Sequence, residues 1–351
     1  MEELESTVTT DRHFEQRDVR LQSGVVLPTL VTAYRTRGTL SADGRNAVLV
    51  AHGYTGGMEI IEDDVDSAEG TWGTLIGPGR PIDTNRYFVV CANALGSSYG
   101  STNAASIDPA TGRQYGSRFP DITVSDIVAG QRALMDHLGV KRLVAVMGPS
   151  FGGVQVFQWG VDHPDFMDGL VPVIAAPAMP NVNVAALEAE LAAQTEFHGG
   201  DYYGRGDMTR YLTDKRIGAL QAFGIDAVLA ERIPDPERRR QQIAAYAQDW
   251  ARTFDANSLL VLFRAMAAFD VRSRLGQIRV PVLYVLSRTD RLIPPAIGPA
   301  VMDQLKGSGV DARYFEIDSE HGHFASGTDA AKWASALRAF LAEIDSTQRP
   351  M

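Results

Sequence analysis

Residues 142–154 read RLVAVMGPSFGGV. Six residues of apolar, strand-like character run into Gly148-Pro149-Ser150-Phe151-Gly152, a G-x-S-x-G match. A helical pattern follows from Phe151 to His163 and stops before Pro164. A serine hydroxyl is a poor nucleophile and must project from a sharp turn towards a base. Small residues on either side allow such a turn. The amides at the start of the following helix favour negative charge developing beside the serine. The plainer reading is a serine in a glycine-rich loop between a strand and a helix. The apolar strand before it, the helix after it and the additional Gly153 favour the nucleophile.

Working outward, 17–36 reads as a β-meander broken at Gly24, and 46–51 and 86–91 read as short buried strands. The spacing of apolar residues predicts a helix over 124–139, then strands over 142–147 and 170–177. Apolar strands alternating with helices imply a mostly parallel sheet covered on both faces. From about 180 to 275 the chain turns rich in Ala, Glu, Gln and Arg and shows no buried strand. VAALEAELAAQTEF and RRRQQIAAYAQDWARTF read as amphipathic helices there, with Arg238–Arg240 on a solvated face. Strands over 280–287 and 310–317 and a closing helix over 330–344 complete the pattern. The expected organisation is an α/β core of residues 1–178 and 276–351, interrupted by a helical lid over 179–275.

A nucleophilic serine in this setting requires a base, an orienting acid and an oxyanion hole. In the α/β-hydrolase fold they follow the order Ser, Asp or Glu, His. Asp290 stands directly beyond the strand 280–287, in LSRTDRLIPP, while Asp318 is a competing acid after the next strand. SEHGHF offers His321 and His323, and Gly322 lets a tight loop present His323. The oxyanion donors should be the amide of Phe151, just after the serine, and that of Tyr54, in the AHGYTGG loop after the strand 46–51. That loop, with Gly53, should also wall the acyl pocket, and His52 should shape it. His13, His137, His163 and His198 stand in surface or helix-end contexts and read as structural.

The 351 residues carry a net charge of −10, which argues against a nucleic-acid partner, since such a protein presents a basic face. With 45% hydrophobic and 22% charged residues the chain reads as a soluble globular protein. Cys91 is the sole cysteine, so no intrachain disulfide forms. It lies in the apolar run RYFVVC, as an inert buried thiol would. No signal-peptide pattern opens the chain and no apolar run is long enough to span a membrane, so the expected address is the cytoplasm. Neither a Walker A loop nor an HExxH motif is present, and LIGPGR (75–80) lacks the strand-to-helix context of a dinucleotide site. No metal and no resident cofactor are expected; His321 and His323 share one loop but have no identified third partner.

These motifs resemble the homoserine O-acetyltransferase family of α/β hydrolases. The likeness runs through WGTLIGPGRPIDTNRYFVVCANALGSSYGST (72–102), SIDPATGRQYGSRFPDITVSDIVAGQRALMDHLGV (106–140), GGDYYG (199–204) and FDANSLLVLFRAMAAFDV (254–271). It implies a Ser150–His323–Asp290 triad, a helical lid and a homodimer joined through that lid. Departures narrow what the resemblance implies. Family members typically read Gly-His-Asp-Ala-Phe-Leu at the histidine, where the aspartate helps hold the substrate ammonium; here Phe324 follows His323. Phenylalanine cannot form a salt bridge with an ammonium. The elbow is GPSFGG in place of the usual GGSMGG. The segment that supplies an arginine for the homoserine carboxylate is not recognisable, although Arg210 and Arg216 lie nearby. The expectation is therefore an esterase of this type, acting on small neutral esters with short acyl groups. An acetyl-CoA-dependent O-acetyltransferase is the alternative, and a non-catalytic binding protein the third reading.

Overall fold

The computed structural model describes residues 11–63, 68–179 and 182–346. Eight strands form the central sheet: β1 (Arg12–Arg20), β2 (Val26–Arg37), β3 (Ala47–Val50), β4 (Phe88–Ala92), β5 (Leu143–Pro149), β6 (Leu170–Val173), β7 (Val282–Ser287) and β8 (Ala312–Ile317). They lie in the order β1-β2-β4-β3-β5-β6-β7-β8. β2 pairs antiparallel with both of its neighbours, and every other pairing is parallel. This is the α/β-hydrolase arrangement of a mostly parallel sheet flanked by helices.

The strand sequences explain why the sheet is covered on both faces. Side chains alternate along a strand. Val48, Val50, Val89, Cys91, Ala145 and Met147 enter one core layer, where Trp333, Leu337 and Phe340 also pack. Leu49, Val90 and Val146 enter the other, with Ile127, Phe157 and Trp159. Those partners come from α1 (Val124–His137) and α2 (Phe151–Asp162) on one side, and from Trp333 and the helix that follows it on the other. Burying each of these large side chains contributes roughly 1.5–3 kcal/mol. The α1 start is fixed by a reciprocal cap: the Thr123 hydroxyl accepts from the Asp126 amide, and the Asp126 carboxylate accepts from the Thr123 amide.

Between β6 and β7 the chain makes five helices: α3 (Val184–Ala192), α4 (Thr209–Phe223), α5 (Ile225–Ala230), α6 (Pro236–Ala251) and α7 (Ala256–Ala267). After β7 come α8 (Gly298–Gly307) and α9 (Ala334–Ser346). The insertion is pinched at its base, where Ala178 bridges Asp270 and the Val271 amide donates to the Pro177 carbonyl (2.9 Å). These contacts tie the two ends of the insertion together. Residues 272–277 form a short 3-10 turn that buries Leu275 in the main core. The strand expected over 170–177 ends at Val173, because Ile174 takes a positive φ of 43° and turns the chain away. Among the described residues no helix is long and apolar enough to cross a membrane.

Candidate active site

Ser150 lies on the turn between β5 and α2 with φ 55° and ψ −120°. That region is costly for a residue with a Cβ, on the order of 1–3 kcal/mol, and persists only where the surroundings enforce it. Here the Ser150 amide donates to the Val173 carbonyl (2.9 Å). The flanking glycines permit close packing. A Cβ on Gly148 would stand 2.3 Å from the Ala51 oxygen, one on Gly152 2.2 Å from the same atom, and one on Gly153 2.5 Å from the Ala175 Cβ.

The loops after β7 and β8 bring two further side chains to this turn. His323 Nε2 lies 2.8 Å from Ser150 Oγ, and His323 Nδ1 lies 2.7 Å from Asp290 Oδ2. Asp290 and His323 are buried, at 3% and 8% exposure. An ionised carboxylate only accepts, so Asp290 selects the tautomer with the proton on Nδ1 and leaves Nε2 free to accept from the serine hydroxyl. The other oxygen, Oδ1, accepts from the amides of Leu292 (2.8 Å) and Ile293 (3.0 Å), which hold the carboxylate in place. His323 sits on a 3-10 turn that begins at Gly322, whose φ is +58°; a Cβ there would meet the Phe223 oxygen at 2.6 Å.

The competing residues go elsewhere. Asp318 is exposed and pairs with Arg288. His321 is buried, but its Nε2 meets Glu231 (3.0 Å) and its Nδ1 meets the Thr328 hydroxyl (2.9 Å). The two histidines therefore face different partners. Among the described residues no group of three or more His, Cys, Asp or Glu is placed to hold a metal ion. Cys91 is fully buried in the sheet, and burial pushes its thiol well up, which leaves it inert.

The rings of Tyr54 and Phe151 lie 6.4 Å apart at a steep angle. Tyr54 stands on the loop after β3, and Phe151 is the first residue of α2, directly after the serine. Burial pushes the Tyr54 phenol well up, so it stays protonated and donates to the Leu259 carbonyl (2.5 Å) on α7. Behind the loop, buried His52 uses both ring nitrogens. Nδ1 donates to the Gly53 carbonyl (2.8 Å), and Nε2 accepts from the Ala94 amide (2.9 Å). Burial lowers its pKa, so the ring stays neutral as this pattern requires.

Ser150 and His323 open into a cavity of about 500 Å³, with Gly53 and Tyr54 in its wall. Leu187, Leu259, Phe263 and Met266 of the insertion close over it, and Ile174, Ile293 and Phe324 line the core side. Phe324 is 4% exposed and packs edge-on against Phe223, whose ring also lies 5.1 Å from that of His323. Of the two arginines noted in the sequence, Arg216 stands in the same wall, paired with Glu69, which sequence reasoning missed. Arg216 of α4 donates through Nη2 to Glu69 Oε1 (2.6 Å) and through Nη1 to the Thr55 hydroxyl (2.7 Å). Burial raises the Glu69 carboxyl, but Arg216 and the Thr55 hydroxyl outweigh it and leave the group below its ordinary value, hence ionised. The available signal was position: Leu212, Arg216 and Leu220 share the buried face of α4, so the arginine stands inside the apolar stripe.

A strand–serine–helix elbow, with an acid and a histidine on the loops after the last two strands, defines the α/β-hydrolase class of protein. The model of the alpha/beta hydrolase fold family matches residues 46–330. The homoserine O-acetyltransferase of Moorella thermoacetica is 36% identical, over 96% of this chain and 97% of its own. The chain thus belongs to the α/β-hydrolase superfamily and, within it, to the homoserine O-acetyltransferase family. Among solved structures, the homoserine O-acetyltransferase of Bacillus anthracis superposes with a TM-score of 0.83 at 25% identity, covering 95% of this chain and 97% of that one. Esterase E22 shares the fold to the same TM-score of 0.83 at 24% identity, covering 95% of this chain and 100% of that one.

Proposed function

We propose that this enzyme is a serine carboxylic ester hydrolase for small neutral esters with short, acetyl-type acyl groups. His323 Nε2 takes the proton from Ser150 Oγ as the oxygen attacks the ester carbonyl. Asp290 stabilises the imidazolium that results. The amides of Tyr54 and Phe151 receive the oxyanion, each lowering the barrier by roughly 3 kcal/mol if they act as measured oxyanion donors do. The tetrahedral adduct collapses, His323 protonates the departing alkoxide, and the alcohol leaves an acyl-enzyme on Ser150. Water then gives its proton to His323 as it attacks the acyl carbon. A second collapse releases the acid and returns the proton to Ser150 Oγ.

The observation that carries hydrolysis over transfer to an amino-acid acceptor is Phe324. A buried phenyl ring lines the cavity directly after His323 and offers an ammonium no carboxylate at that position. Transfer from acetyl-CoA to an alcohol is the second reading. The named activity of the Moorella thermoacetica relative favours it, as does the Arg216–Glu69 pair, which puts charge within reach of an acceptor. The family resemblance also supports a homodimer joined through the insertion, and sedimentation equilibrium returning the mass of one chain would exclude it. The test of the chemistry is labelling by a fluorophosphonate located by mass spectrometry. We expect one adduct, on Ser150, absent from Ser150→Ala, together with steady hydrolysis of p-nitrophenyl acetate. Labelling elsewhere, or none, would sink the scheme.

A further inference from the structure

We propose that the helical insertion sets the oxyanion hole, with Arg216 and Trp250 as positioning residues that act on the Tyr54 amide through Thr55. This rests on the reading of Tyr54 as an oxyanion donor given above. The loop that carries Tyr54 has glycines at 53, 56 and 57, so its backbone has little stiffness of its own. His52 fixes its first residue from the core side. Beyond that point the ties lead largely out of the core. The Thr55 hydroxyl accepts from Arg216 Nη1 (2.7 Å) and donates to Glu69 (2.8 Å). Its carbonyl accepts from Trp250 Nε1 (3.0 Å) on α6, and from the Tyr99 hydroxyl (3.3 Å). The Tyr54 phenol reaches Leu259 on α7. Three helices of the insertion therefore hold the two residues that place one amide.

The clamp is itself rigid. Arg216 is 5% exposed and Trp250 9% exposed. The guanidinium lies 5.2 Å from the centre of the Trp250 ring, and that ring stacks on Phe254 at 4.7 Å. An oxyanion donor acts only when it is aimed at the developing charge, and small displacements of such groups cost rate far more than binding. Loosening the clamp should therefore lower kcat and leave KM nearly alone.

Thr55→Val tests this cleanly, because it keeps the volume, removes the hydroxyl and leaves the Arg216–Glu69 pair in place. With p-nitrophenyl acetate we expect kcat to fall roughly 10- to 100-fold, with KM within about threefold. Inhibition by phenylboronic acid, whose serine adduct puts an oxygen where the oxyanion forms, should weaken by a similar factor. Thr55→Ser should recover most of both. Trp250→Phe, which removes only the ring N–H, should move kcat and boronate affinity in the same direction and stands in should Thr55→Val fold poorly. Unchanged kcat with a lowered melting temperature, or a kcat loss with full boronate affinity, would overturn the proposal. If the wild type neither hydrolysed the ester nor bound the boronate, the functional reading itself would fall and this inference with it. That outcome is distinct from a wild type that responds and a Thr55→Val protein that responds equally well.

Discussion

The backbone of Gly152 lies so close to the Ala51 carbonyl that a Cβ built on it would stand 2.2 Å from the oxygen. Both partners are main chain, so neither can rotate away. This contact seats the first turn of α2 against the end of β3 and places Ser150 beside the Tyr54 loop. Gly152→Ala should therefore cost about 3 kcal/mol or more of stability, the upper end for overpacking. It should also reduce ester turnover in whatever fraction folds. Urea unfolding would show it; a midpoint within error of the wild type would mean the elbow is looser than described.

Ser150→Ala should abolish turnover while leaving the fold intact. The hydroxyl makes its hydrogen bond with His323, and the strained backbone is held by Val173 through the Ser150 amide, which alanine retains. Residual hydrolysis at the level of buffer, with a melting temperature within a few degrees of wild type, is the expected result.

Asp290→Asn should lower kcat by roughly 10³- to 10⁴-fold, because the amide favours the wrong imidazole tautomer. Asp318→Asn should stay within about twofold of wild type, since an exposed ion pair contributes little. Comparable losses in both variants would contradict the assignment of the acid.

Burial holds the His52 pKa below the ordinary histidine value of 6.5. The unfolded chain thus binds a proton there before the folded one does. The stability of the neutral ring is fully present above about pH 6.5 and is lost as pH falls from there towards the lowered folded-state value. For one group the slope is bounded at about 1.4 kcal/mol per pH unit. His52→Asn should show a shallower decline than wild type between pH 7 and 5.5 in urea unfolding; parallel declines would remove His52 as the source.

Much of this was legible in the sequence, for reasons that can be named. The core strands carry continuous apolar runs because both faces of the sheet are buried, and the elbow glycines are dictated by backbone contacts. Asp290 and His323 stood out because each follows a late strand, and the structure brings them within hydrogen-bond distance of one another and His323 of Ser150. The insertion was harder to read. On α4 the buried face contains Arg216 between Leu212 and Leu220, so a buried charge interrupts the periodicity that would reveal the helix. Glu69 gave no local sign at all: its partners, Thr55 and Arg216, lie 14 and 147 residues away. The strand after the elbow was read four residues too long because AAP continues its apolar character past the turn at Ile174.

The most direct test of the central claim is p-nitrophenol release from p-nitrophenyl acetate, followed with and without L-homoserine. Steady turnover in water, unchanged by homoserine, is the predicted result and would establish water as the acceptor. A burst of one equivalent that stalls until homoserine is added would contradict it, making the enzyme a transferase and Phe324 no barrier to a charged acceptor.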